Sequence, residues 1–154
     1  MLIIVHHEIF YKIMKPRRYY SDHYIYTTLK NVKTIALVGA SPKNDRDSNI
    51  CMKFLLEFGY QVIPINPNEV DNLIHGQRCY AQLCDVEESI DMVEIFRNSE
   101  AVLEIVERAI DMHIDVIWMQ LDVINLEAER LALGAGMTVI MDRCPKIELQ
   151  KLDH

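Results

Sequence analysis

From Ser21 onward, apolar strand-like runs alternate with amphipathic helix-like runs, and this alternation restricts the chain to a parallel sheet covered by helices on both faces. A strand buried on both sides reads as apolar nearly throughout rather than at every second residue. "TIALVG" (34–39) does so, and "YQVIPIN" (60–66), "IDMVEIF" (90–96), "DVIWMQ" (115–120) and "TVIMD" (138–142) follow it at intervals that leave room for crossover helices. "SDHYIYTTLKN" (21–31) reads as a leading helix capped by Ser21 or Asp22. "SNICMKFLLEFG" (48–59) reads as a helix capped by Ser48, closed by Gly59 and packed through Ile50, Phe54, Leu55 and Phe58.

A further helix from Ser99 presents Val102, Ile105, Val106, Ala109 and Ile110, and "NLEAERLALGAG" (125–136) presents Ala128, Leu131, Ala132 and Ala135. "RCYA" (78–81) is expected as a brief edge strand, the third of six. Right-handed crossovers then give the order 3-2-1-4-5-6, a doubly wound, Rossmann-like α/β sheet whose direction of winding reverses between the strands ending at Gly39 and Phe96. Ligands of such sheets sit at that reversal, here bounded by loops 40–48 and 97–99 and flanked by 66–68 and 120–122.

At 154 residues the chain has length for one substantial core, expected over 21–154. Residues 1–20 read as an arm, with Met14 an alternative start; the arm's apolar residues leave a homodimer open. That arm lacks a small-residue cleavage site, and no apolar run approaches the roughly 20 residues of a membrane helix, so a soluble cytoplasmic protein is expected. A net charge of −7 argues against nucleic acid and anionic membranes as partners. The four cysteines include no CxxC pair and the six histidines form no ligand-spaced cluster with them, so neither zinc nor a disulfide framework is expected.

The first strand leads into "GASPKNDRDS" (39–48), which departs from a glycine-rich phosphate loop: Ser41 stands where GxGxxG requires its second glycine. The second strand ends in Asn66-Pro67-Asn68 instead of the acidic residue that holds an adenosine ribose, which disfavours NAD. No GxxxxGK[ST] motif is present. What remains is an anion cradle made by a helix start at Ser48 with Lys43 and Arg46 on the loop, unless those cations are merely solvated and balanced by Asp45 and Asp47.

"VGASP", "GYQVIPINPN", "EIFRNSE", "VIWMQL" and "MDRCPKIE" occur in register, each at a strand end. Together they resemble the single-domain CoA-binding proteins related to the N-terminal domain of the succinyl-CoA synthetase alpha subunit, from about Tyr20 to Leu149. The resemblance implies coenzyme A, or an acyl-CoA, lying across the crevice as the ligand of a binding or sensing module. It implies a phosphate-facing turn at Gly39, Ala40, Ser41 and Pro42, cations at Lys43 and Arg46, Asn66 and Pro67 bordering the nucleotide, Phe96 and Arg97 opposite, and Gln120 at a further strand exit.

Asp122 departs from a frequent glycine of the family, and Trp118 reads as core. The synthetase reaction does not carry over, because it needs a phosphohistidine domain and an ATP-grasp partner. "MDRCPKIE" reads as a turn fixed by Pro145 and anchored by Arg143; the rival is acyl transfer from CoA using Cys144 or Asp142. A second rival is an NADP site using Lys43, Arg46 and Arg97.

Overall fold

The computed structural model describes residues 18–152, so the arm expected over 1–20, Met14 included, lies outside it up to residue 17. The order of elements is α1 (Asp22–Asn31), β1 (Thr34–Val38), α2 (Asp47–Phe58), β2 (Gln61–Ile65), the short hairpin β3 (Leu73–Ile74) and β4 (Gln77–Arg78), β5 (Met92–Ile95), α3 (Val102–Asp111), β6 (Val116–Met119), α4 (Leu126–Gly134), β7 (Thr138–Ile140) and α5 (Pro145–Leu152). Five strands form one parallel sheet in the order β2-β1-β5-β6-β7. The winding reverses between β1 and β5, as the sequence predicts. Among the described residues, no helix is long and apolar enough to cross a membrane.

Alternate residues of each strand enter opposite cores, the period of two that a pleated strand imposes. Ala36, Val38, Ile63, Ile65, Val93, Ile95, Ile117 and Met119 pack with α3 and α4 through Val102, Val106, Ala109, Ala128 and Ala132. Ile35, Leu37, Val62, Met92, Trp118 and Ile140 pack with α1, α2 and α5 through Ile25, Leu29, Cys51, Met52, Leu55 and Leu149. Trp118 is fully buried, and its indole N–H donates to the carbonyl of Arg143 at 2.8 Å.

The expected third strand is reduced to a single parallel bridge between Ile65 and Tyr80. Tyr80 N donates to Pro64 O at 3.0 Å and Asn66 N donates to Tyr80 O at 2.8 Å. The next outward donor of that ladder would be the N–H of Pro64, which does not exist, so pairing stops after one step. Arg78 pairs with Leu73 in the hairpin instead.

Three helices differ from their sequence reading. In α2 the buried face is Ser48, Asn49, Cys51, Met52 and Leu55, while Ile50 and Phe58 are exposed. The helix starts at Asp47 with Arg46 as N-cap, so Ser48 lies inside the first turn and does not cap it. In α4 only Ala128 and Ala132 are buried; Leu131 and Ala135 face outward. The "turn" at Pro145 is the first residue of α5, a position where a missing N–H costs nothing.

Candidate ligand cleft

The strand ends Val38, Ile65, Ile95 and Met119 open on one rim of the sheet, at the reversal point. The chain leaves β1 through Gly39 at φ +90°, and a Cβ there would fall 2.1 Å from the carbonyl oxygen of Phe96. Only glycine permits this approach of two backbones. Gly39 N and Ala40 N both donate to Ile65 O, at 3.0 and 3.3 Å. These two residues therefore shape the rim and do not offer free amides to an anion.

Side-chain amides brace the loop that follows. Asn66 Nδ2 donates to Ala40 O at 2.8 Å, and Asn49 Nδ2 donates to Ser41 O at 2.9 Å. With its nitrogen so engaged, Asn49 turns Oδ1 toward His75 Nε2 at 2.8 Å, and that ring nitrogen must carry the proton. Ser41 Oγ accepts from Lys43 N at 3.2 Å and keeps its own hydrogen free to donate.

Two clefts, each of about 630 Å³, meet at the Phe96–Arg97 segment. The first brings together Gly39, Asn66, Pro67, Phe96 and Arg97, with Leu83 and Ile105 as apolar walls and Arg108 as a second cation. The other holds Phe96, Arg97 and Gln120 together with Asp47, Cys51, Asp122, Cys144 and Lys146. Ala40, Ser41, Pro42, Lys43, Arg46 and Ser48 line neither: Ala40 and Ser48 are buried, while Pro42, Lys43 and Arg46 are exposed on the adjoining loop. Among the described residues Arg97 makes no ion pair, so neither Glu94 nor Glu100 occupies it.

Arg108 escaped the sequence reading because it pairs with Glu104 one helical turn away, at 3.6 Å, and looks like ordinary surface charge. Asn49 escaped because a polar residue in the first turn of a helix looks solvent-facing; it is 4 % exposed. Arg143 is structural: its guanidinium bonds Glu148 Oε1 at 3.2 Å and the carbonyl of Arg18 at 2.7 Å, and it lies over the Tyr20 ring.

Under the second cleft lies Glu94, fully buried, flanked across the ladder by Leu37 and Trp118, with both carboxyl oxygens lacking a hydrogen-bond partner. Burial, and the sulfur of Cys144 nearby, push its carboxyl well above the usual carboxylate range. Cys144 is held down to about 6, chiefly by a hydrogen bond from the Cys51 side chain, with Gln120 and the amides of Ile147 and Lys146 adding to it against the opposing effect of burial. Cys51 is pushed up by that same hydrogen bond and by burial.

Asp122 takes the left-handed conformation, φ +65°, and its N–H donates to Asp142 Oδ1 at 2.7 Å. The backbone is thus the one a glycine would adopt, and the exposed carboxylate is incidental to it. Asp122→Gly is expected to leave the unfolding free energy within about 1 kcal/mol of the parent, because relief at positive φ offsets the entropy of the new glycine. Urea titration checks this; a loss above roughly 2 kcal/mol would give the side chain a part that its geometry does not.

The profile of the CoA binding domain family matches residues 33–150, from the residue before β1 into α5. The chain belongs to this family. As a CoA binding domain it is 35 % identical over 119 residues to the uncharacterized protein YneT of Bacillus subtilis (strain 168), covering 77 % of this chain and 87 % of that one. A hypothetical protein of Pyrococcus horikoshii OT3 has the same fold with a TM-score of 0.84 at 40 % identity, over 90 % of this chain and 96 % of that chain. The domain is also 33 % identical over 75 residues to an ADP-forming acetate–CoA ligase of Methanocaldococcus jannaschii, 49 % of this chain but only 10 % of that protein. The resemblance read from the five strand-end motifs is the relationship the comparisons find.

Proposed function

We propose that this CoA binding domain holds coenzyme A or an acyl-CoA reversibly at the rim of its sheet, as a binding or sensing module. The observation that carries the reading is the first cleft: Arg97, which makes no ion pair among the described residues, lines it together with the bare Cα of Gly39, the Asn66-Pro67 exit of β2 and the apolar walls Leu83 and Ile105. Apolar walls with a few convergent polar groups suit a nucleotide base, and a guanidinium with no carboxylate partner suits its phosphates. Lys43 and Arg46, exposed on the adjoining loop, are within the reading as partners of the ribose 3′-phosphate. Gln120, Phe96 and Arg97 carry the site across into the second cleft, where the pantetheine arm would run.

Titration calorimetry with CoA, dephospho-CoA, NADP and NAD tests this. CoA is expected to bind, and Arg97→Ala to weaken it by about 10–100-fold, the worth of one charge-assisted hydrogen bond of roughly 1.5–3 kcal/mol. Removal of the 3′-phosphate should lower affinity, and that difference should vanish in Lys43→Ala or Arg46→Ala. Heat from NADP but none from CoA would replace the reading with a dinucleotide site. A CoA mass retained by the purified protein under non-denaturing ionisation would support it directly.

A further inference from the structure

Cys51 and Cys144 both line the second cleft, and CoA binding as read above assigns neither a role. Cys51 belongs to α2 and Cys144 immediately precedes α5, and these two helices pack on each other. Both cysteines line the cleft, at 2 % and 7 % exposure, and belong to the same apolar cluster. Both are free thiols. The surroundings separate them chemically. Cys144 immediately precedes the first turn of α5, and the Gln120 side chain and the amides of Ile147 and Lys146 lower its thiol. A sulfur anion at a helix start is stabilised by such amides and by the dipole behind them. Cys51 is held among apolar side chains, and the neighbouring Cys144 and burial push its thiol up.

We propose that Cys144 and Cys51 form a reactive dithiol pair, Cys144 the nucleophile and Cys51 the resolving thiol, which exchanges with disulfides of small thiols entering the second cleft. In the first step the Cys144 sulfur attacks one sulfur of the incoming disulfide; its own proton passes to the departing thiol. In the second, Cys51 attacks the Cys144 side of the mixed disulfide, and its proton goes to the other thiol as that leaves. The pair is oxidised by two electrons and the disulfide is reduced to two thiols; an excess of small thiol reverses both steps. The cleft favours a small partner, because Cys144 lines it yet is only 7 % exposed, which a flat protein surface does not reach. The charged and titratable groups facing the pair are Glu94 beneath and Asp47, Arg97, Asp122 and Lys146 on the cleft walls. The exchange needs the second cleft free of the pantetheine arm that the proposed function runs through it, so it is tested on protein shown by mass to carry no CoA.

Native protein incubated with glutathione disulfide, then alkylated and mapped by peptide mass, decides it. The expected product joins Cys51 to Cys144 with release of both glutathiones. Cys51→Ser is expected to stop at a Cys144–glutathione adduct, and Cys144→Ser to leave Cys51 unmodified. Exposed Cys84 serves as the internal reference. Should a serine variant not fold, iodoacetamide labelling of the unaltered protein substitutes: Cys144 is expected to react in the native state, with a rate that halves only as pH falls to about 6. Modification at Cys84 while Cys51 and Cys144 react only after denaturation would overturn the proposal and leave two ordinary core thiols.

Discussion

Gly39→Ala is expected to destabilise the domain by about 2–5 kcal/mol and lower its melting temperature by roughly 10 °C, the largest effect of a methyl group added at any of its five glycines. Two costs add. A residue with a Cβ at φ +90° loses about 1–2 kcal/mol of conformational energy. The new atom would also stand 2.1 Å from Phe96 O, a backbone atom fixed by the 2.8 Å bond from Phe96 N to Val38 O, so β1 and β5 would have to part at their ends. Gly59 supplies the control: its φ is +119°, yet nothing lies within 4 Å of the added Cβ. Gly59→Ala should therefore show the conformational cost alone. Equal losses in the two variants, measured by thermal unfolding, would mean that the close approach at Gly39 contributes nothing.

Glu94→Met is expected to raise stability at neutral pH by about 1–3 kcal/mol, the usual cost of a buried polar group with no partner. Methionine matches the reach of glutamate and puts no charge between Leu37 and Trp118. The sign with pH follows from the direction of the shift. The folded carboxyl titrates well above its ordinary value of 4.5, so the native state holds its proton more tightly than the unfolded chain does. Glu94 thus favours folding most below pH 4.5, and that contribution is lost as pH rises through the folded value. The advantage of the methionine variant should be smallest in acid, grow with pH, and then level off. Denaturation curves taken across pH check this; parallel stability profiles for parent and variant would show that Glu94 is not ionising against its surroundings.

The five strands were legible because burial on both faces leaves an unbroken apolar signature, and their order followed from handedness alone. The third strand was not, since "RCYA" has strand-like residues while the obstacle sits in the neighbouring strand, at Pro64. The buried face of α2 was misread because hydrophobicity favours Ile50 and Phe58 over Cys51 and Met52. Ile50 instead borders the second cleft, and Phe58 stacks with Phe54 and Tyr60, at 5.9 Å each, outside the core. Arg97 was legible as a cation leaving a buried strand beside a helix start, and it lines both clefts. Lys43 and Arg46 line neither cleft; they sit exposed on the loop that leads into α2, with Arg46 as its N-cap. The meeting of Cys51 with Cys144 depends on how α2 and α5 dock, which no local pattern encodes.

Pro64 has an effect beyond the missing third strand. A sheet's outermost strand ordinarily invites a foreign chain to zip alongside it, the step that turns folded domains into fibres or swapped oligomers. Here the imino ring removes one donor from the flank of β2, and Tyr80 already occupies the Pro64 carbonyl and the Asn66 amide beside it, so an intruder finds a broken ladder. A module this small then carries, in its own edge strand, one built-in interruption to adhesion by a neighbouring chain.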